Sequence, residues 1–171
     1  MKQIYLAAIF ACTGTVGQAA CATNLQTFLS CEVGRSGKVL NVCFDDTIIT
    51  YSFGRPGAPD LGLAETIADI DYTPWPGVGR SIWEEVRFEN GEYSYITHAG
   101  FERMLGDETD EDNTDTHFGG VVVERGGDVI ADLQCTPGTV DAPWGQELFL
   151  AKEAAGLTWD FGAREWQKTN E

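Results

Sequence analysis

Thr27–Gly57, TFLSCEVGRSGKVLNVCFDDTIITYSFGRPG, is the stretch whose reading decides the fold. Thr27–Val33 is rich in β-branched and aromatic residues and runs into Gly34-Arg35-Ser36-Gly37. Lys38–Phe44 follows, with Val39, Leu40, Val42 and Phe44 apolar. Two such runs around a glycine-bearing turn read as a hairpin. A three-residue loop Arg35-Ser36-Gly37 would put Gly37 in the left-handed position. Asp45-Asp46 marks a second turn, and Thr47–Phe53 alternates, Ile49, Tyr51 and Phe53 facing one way and Ile48, Thr50 and Ser52 the other. A period of two is the mark of a strand with one better-buried face. Gly54-Arg55-Pro56-Gly57 closes the unit, because proline has no N–H to give a central ladder.

The rest of the chain continues the pattern. Asp60–Tyr72, with Leu61, Leu63, Ile67 and Ile70, reads as an irregular strand between β signals. Thr73–Ile82, TPWPGVGRSI, is an ordered loop by its prolines and glycines. Ile82–Glu89 and Glu92–His98 flank Asn90-Gly91, a strong hairpin signal. Trp83, Val86 and Phe88 are expected inward on the first of these strands; Tyr93, Tyr95 and Thr97 share one face of the second, opposite Ser94, Ile96 and His98. Phe118–Arg125 and Asp128–Cys135 flank Gly126-Gly127, with Val121, Val123, Val129, Ala131 and Leu133 expected on the core side. Gln146–Ala155 is the one good helix, with Asp141 and Pro143 ahead of it as cap and first-turn residues and Gly156 to stop it. Trp159, Phe161 and Trp166 are expected to anchor the tail. The expected fold is all-β: about eight antiparallel strands in a small barrel or sandwich, with a short C-terminal helix.

Composition bounds the setting. The chain has 171 residues, enough for one domain with an adequate core. Residues 1–20 read as a secretory signal, with Lys2 ahead of the apolar run Ile4–Ala11 and small residues Gly17, Ala19 and Ala20 at the cleavage site. The run is too short to serve as a transmembrane anchor. Residues 21–171 are then one domain, periplasmic or secreted. Ala19-Ala20-Cys21 invites a lipoprotein reading, but Gln18 stands where a lipobox wants Leu or Val, which favours soluble export. Export makes disulfides the expected state of Cys21, Cys31, Cys43 and Cys135. Four cysteines allow three connectivities. In the hairpin register set by the loop Arg35–Gly37, Cys31 lies opposite Asn41 and Cys43 opposite Leu29, so these two are diagonal. The expected pairs are Cys31–Cys135 and Cys21–Cys43.

The formal charge is −16, and loss of Lys2 with the signal takes it to about −17. Such a field opposes nucleic acid and anionic lipid and favours cationic partners. Enzyme chemistry finds no motif. His98 and His117 are the only histidines, and there is no Gly-x-Ser-x-Gly elbow. Glu84-Glu85 is a carboxylate pair, but in so acidic a chain a pair says little. His98 and His117 could share a metal with Asp115. Gly106–Thr116, GDETDEDNTDT, holds six acids in eleven residues, and Asp110, Asp112 and Asp115 are the calcium candidates, though the glycine and twelfth-position glutamate of an EF-hand loop are missing. No cofactor is expected.

The spacing Cys21…Phe28-Leu29-Ser30-Cys31…Gly37-Lys38-Val39-Leu40-Asn41-Val42-Cys43, followed by Tyr51-Ser52-Phe53-Gly54-Arg55-Pro56-Gly57, resembles a family of small exported bacterial β-proteins, over roughly Cys21 to Cys135. More faintly, the chain is similar to the periplasmic inhibitors of C-type lysozyme, small disulfide-tied β-barrels. The pieces nearest to their marks are Val78-Gly79-Arg80-Ser81 and Thr97-His98-Ala99-Gly100. The resemblance implies a binding protein that docks a cationic peptidoglycan-cleaving enzyme. Trp75, Gly77, Arg80, Tyr93, Tyr95 and His98 are the partner-binding candidates, and a rigid loop around Trp75 would block the enzyme's cleft. The rival expectation is an envelope-structural or small-ligand protein. For a ligand inside the barrel the inward residues are too bulky, which favours a filled core and a surface site.

Overall fold

The computed structural model describes residues 21–103 and 116–169. The alternating segments pair in chain order. Strands β1 (Gln26–Val33), β2 (Lys38–Phe44), β3 (Ile48–Arg55) and β4 (Ala58–Thr66) form one antiparallel sheet in the order β1-β2-β3-β4. Strands β5 (Asp71–Thr73), β6 (Ser81–Asn90), β7 (Tyr93–Glu102), β8 (His117–Arg125) and β9 (Asp128–Gln134) form a second meander in the order β5-β6-β7-β8-β9. Helix α1 (Glu147–Ala154) and the hairpin β10 (Leu157–Asp160) and β11 (Glu165–Lys168) complete the chain.

The fold is all-β with a short C-terminal helix, as the sequence implies. Side chains from both large sheets enter one core: Leu29, Leu40, Val42 and Ile49 from the first, Val86, Phe88 and Val121 from the second. Tyr51 of β3 meets Phe88 of β6 at 5.7 Å and Tyr95 of β7 at 5.5 Å between ring centres. Burying one face of each sheet against the other is the sandwich solution. No ladder joins the two sheets into a closed ring among the described residues, so the architecture is a sandwich and not a barrel. The segment after β9 instead runs along the free edge of β1, through the bridges Val33↔Cys135 and Ser30↔Asp141. The disulfide Cys31–Cys135 ties this seam, and Cys21–Cys43 fastens the start of the chain to β2, with Cα separations of 5.7 Å and 5.6 Å. Both pairings are those expected.

Several expectations need correction. Asp60–Tyr72 is not one strand. Its spacing changes period: Leu61 and Leu63 lie in β4, while Ile67 and Ile70 bury at 1% and 3% exposure in a turn that carries the chain from one sheet to the other. With β5 and the tail hairpin this makes eleven strands among the described residues, against the expected eight or so. The first hairpin loop has four residues, with Gly34 (φ 64°) and Gly37 (φ 67°) both left-handed. That shifts the register, so Cys31 faces Leu40, and a bulge between Thr27 and Leu29 sets Cys43 opposite Thr27. In the second hairpin Asn90 pairs with Tyr93, so the turn is Gly91-Glu92 rather than Asn90-Gly91. A bulge at Val123/Glu124 turns Val129 outward, to 62% exposure. Asp141 does not cap α1, because its backbone is held by Ser30; Gln146 is the N-cap, and its side chain makes no capping bond. Asp45 does close its turn as expected, accepting from the backbone N–H of Thr47 and Ile48, and these bonds hold its carboxyl below the usual range.

Candidate functional site

At one end of the sandwich, Ala142-Pro143-Trp144-Gly145 leads into α1 and leaves a cleft against the start of β6. The cleft has two chambers. The inner one, of about 120 Å³, lies between the sheets and is lined by Phe28, Phe44, Phe101, Glu84, Trp144 and Glu147 among others. The outer one, of about 310 Å³, is walled by Pro74, Trp75, Trp144, Phe149 and Phe161, again with Glu84. Glu84, Trp144 and Gly145 line both and form the waist. Part of this wall faces solvent: Trp144 is 43% and Phe161 65% exposed.

Strand alternation explains why a carboxylate sits here. Val86 and Phe88 of β6 are fully buried, and Glu84 shares their face. The expected inward residue Trp83 has the opposite parity and lines a separate groove with Pro76, Val78 and Trp159. Glu84 is partly buried, and the Tyr72 hydroxyl donates to its Oε1 at 2.6 Å. Burial pushes the Glu84 carboxyl up to about 7; the Tyr72 hydrogen bond acts against the rise, and the negative charge of Glu147 adds to it. Burial and the Glu84 charge together drive the Tyr72 hydroxyl above its usual range. Glu147, exposed in the first turn of α1, folds its carboxylate back over Gly145, where a Cβ would collide with it. No lysine or arginine among the described residues pairs with Glu84. A site with two carboxylates, exposed aromatic walls and no internal cation suits a ligand that is positively charged and partly apolar.

The expected site residues are not gathered in one place. Trp75 forms part of the cleft wall; it is partly buried, the Arg103 guanidinium stacks 4.5 Å over its ring, and its Nε1 has no hydrogen-bond partner. Gly77 (φ 82°) bends the same loop, and Val78, not Trp75, is its outward tip at 69% exposure. Arg80 is exposed beside Glu102, 3.7 Å from its carboxylate. Tyr93 and Tyr95 face the core, Tyr95 against Tyr51 and Tyr93 under Arg125. Arg80 and Tyr93 lie at opposite ends of the β6–β7 hairpin, on the order of 30 Å apart by strand rise. His98 is on the outer face of β7, where burial lowers its proton affinity against the opposing effects of Gln134 and Asp132. His117 pairs with Phe101 and His98 with Gly120, three positions apart, which puts the two histidines on opposite faces. No group of three or more His, Cys, Asp or Glu among the described residues could hold a metal ion. The calcium candidates Asp110, Asp112 and Asp115 lie outside the described residues.

Sequence reasoning missed Glu84, Trp144, Glu147, Phe149 and Phe161 as one constellation. The available signal was a glutamate two and four positions ahead of buried Val86 and Phe88. Family models, curated proteins and solved structures were compared with the chain and none matches. What the fold and the site themselves define is a disulfide-tied β-sandwich with an aromatic, carboxylate-floored cleft.

Proposed function

We propose that this chain is an exported binding protein that recognises a basic protein through the cleft and the adjoining β5–β6 loop, with cationic peptidoglycan-cleaving enzymes as the partner class. The observation that carries the reading is the meeting of Glu84 and Glu147 in one aromatic-walled cleft without an internal cation among the described residues. The net charge of −16 adds a long-range attraction for such partners. Two disulfides suit an oxidising compartment, and no helix among the described residues is long and apolar enough to cross a membrane. The loop's role is to flank the cleft, with Trp75 in the wall.

The test is the rate of cell-wall lysis by a cationic C-type lysozyme titrated with the oxidised protein. Stoichiometric loss of lysis, relieved by salt, supports the reading. Undiminished lysis with no binding by that enzyme or other lytic enzymes overturns it and leaves a small-ligand cleft as the alternative, for which a chamber of about 310 Å³ is at the lower end of the usual size.

A further inference from the structure

We propose that the cleft is a receptor for a single arginine side chain of the partner, its stem in the outer chamber and its guanidinium at the waist beside Glu84, Glu147 and the ring of Trp144. The inference rests on the binding reading above and adds the chemical group that is recognised.

Three features point to a guanidinium. The first is the division of labour along the cleft. Trp75, Phe149 and Phe161 offer apolar surface on the way in, which suits the methylene stem of a long basic side chain. The second is the waist. Glu84 and Glu147 come from different elements, β6 and α1, and both carboxyl groups line the inner chamber, Glu84 at the waist. A planar group with several N–H donors can serve two such carboxylates at once, whereas an ammonium is a point charge that keeps more of its hydration. The third is Trp144. It lines both chambers, is 43% exposed, and meets Phe101 edge-on at 5.6 Å, so its ring is held in place. A guanidinium stacks on such a ring, and indole is the best aromatic partner for a cation.

The charged and titratable groups around Glu84 are few. Tyr72 reaches it from β5 and Glu147 from α1; Pro74, Trp75 and Phe161 are uncharged, and Arg103, stacked 4.5 Å over the Trp75 ring, is a cation beside the outer chamber. No lysine, arginine or histidine lines either chamber among the described residues, so a guanidinium at the waist meets carboxylates. It stabilises ionised Glu84, and binding weakens as falling pH protonates that group through its elevated range near 7.

The experiment uses the oxidised protein and three probes of equal length: an N-alkylguanidinium, an N-alkylammonium and the neutral N-alkylurea, followed by indole fluorescence and by NMR shifts. The guanidinium is expected to bind more tightly than the other two, to lose at least about tenfold in affinity in Glu84→Gln, and to weaken from pH 8 to pH 5 in the wild type only. Equal binding of the guanidinium and the urea, or an unchanged affinity in a folded Glu84→Gln variant, overturns the inference. The comparison of probes on the wild type does not depend on any variant folding. If the wild type binds a lytic enzyme but not the guanidinium, this inference falls and the proposed function stands. If it binds the guanidinium but no basic protein, the inference stands and the proposed function falls.

Discussion

The Tyr72 hydroxyl, on the three-residue edge strand β5, donates to Glu84 Oε1 across the strand pair at 2.6 Å. This bond orients the carboxylate at the waist of the cleft. It also joins that carboxylate to the tail, because Tyr72 stacks on Trp166 and its carbonyl accepts from the Trp166 indole N–H at 2.7 Å.

Glu84 makes stability depend on pH. Its folded carboxyl is raised from 4.5 to about 7, so between those values the native state binds more protons than the unfolded chain. Its favourable contribution is present below about pH 4.5 and is lost as pH rises through about 7. Glu84→Gln is expected to remove this slope and to be more stable than the wild type at pH 8 by roughly 2 kcal/mol, after allowance for screening at the cleft mouth. Urea unfolding of both proteins at pH 5 and pH 8 checks the sign.

Lys152 is a buried charge. At 2% exposure its ammonium donates to the carbonyls of Ala68 (3.1 Å) and Ile70 (2.8 Å), closing the turn that carries the chain between the sheets. It also lies 5.4 Å over the Trp166 ring. Lys152→Met keeps most of the volume and removes the donors. Two carbonyls lose their partner, and a loss of about 2–3 kcal/mol is expected in urea unfolding. Since Lys152 is not in the cleft lining, the variant's affinity for a cationic probe should stay at the wild-type value.

The two disulfides differ in reach. Cys31–Cys135 closes a separation of 104 residues and Cys21–Cys43 one of 22. On loop-closure entropy alone their loss costs about 5 and about 3 kcal/mol respectively. Cys31 and Cys135 also hold the seam where the post-β9 segment meets β1, so the Cys31→Ser/Cys135→Ser variant should unfold at lower denaturant than Cys21→Ser/Cys43→Ser. The reverse order would mean that the bridges Val33↔Cys135 and Ser30↔Asp141 hold the seam without the covalent link.

The elements written in local pattern were legible. Ile49, Tyr51 and Phe53 alternate in sequence and face the core in the structure, and turns at Gly126-Gly127 and around Gly37 fall close to where glycine demands them. The disulfide pairing was legible in part: either hairpin register keeps Cys31 from facing Cys43, which removes one of three connectivities, and the return of the chain to the first strand at Cys135 favours Cys31–Cys135 of the two that remain. Registers were less so, since Gly34 and Gly37 each could close the first loop and both are used. The bulge at Val123/Glu124 leaves no mark in the sequence, and it alone reverses the facing of Val129. The cleft was illegible for a different reason. Its parts come from residues 72, 75, 84, 101, 144, 147, 149 and 161, and only the packing of α1 and the tail on the sandwich brings them together. An inward glutamate also looks like an outward one until its strand neighbours are seen to be buried.

Trp144 should matter more for binding than for folding. Its exposed ring makes few core contacts, so Trp144→Ala is expected to cost the fold about 1 kcal/mol or less. Loss of the cation-facing ring should nonetheless weaken partner binding by roughly tenfold or more, the scale of a desolvated cation–π contact and its buried area. Paired measurements of melting and of affinity separate the two effects.

The most direct test of the central claim is the affinity of the oxidised wild-type protein for a cationic C-type lysozyme, measured at low and at high salt. A one-to-one complex that weakens steeply with salt, and that Glu84→Gln and Trp75→Ala each weaken further, is the result this account predicts. No complex at low salt, or one indifferent to salt and to both substitutions, would contradict it.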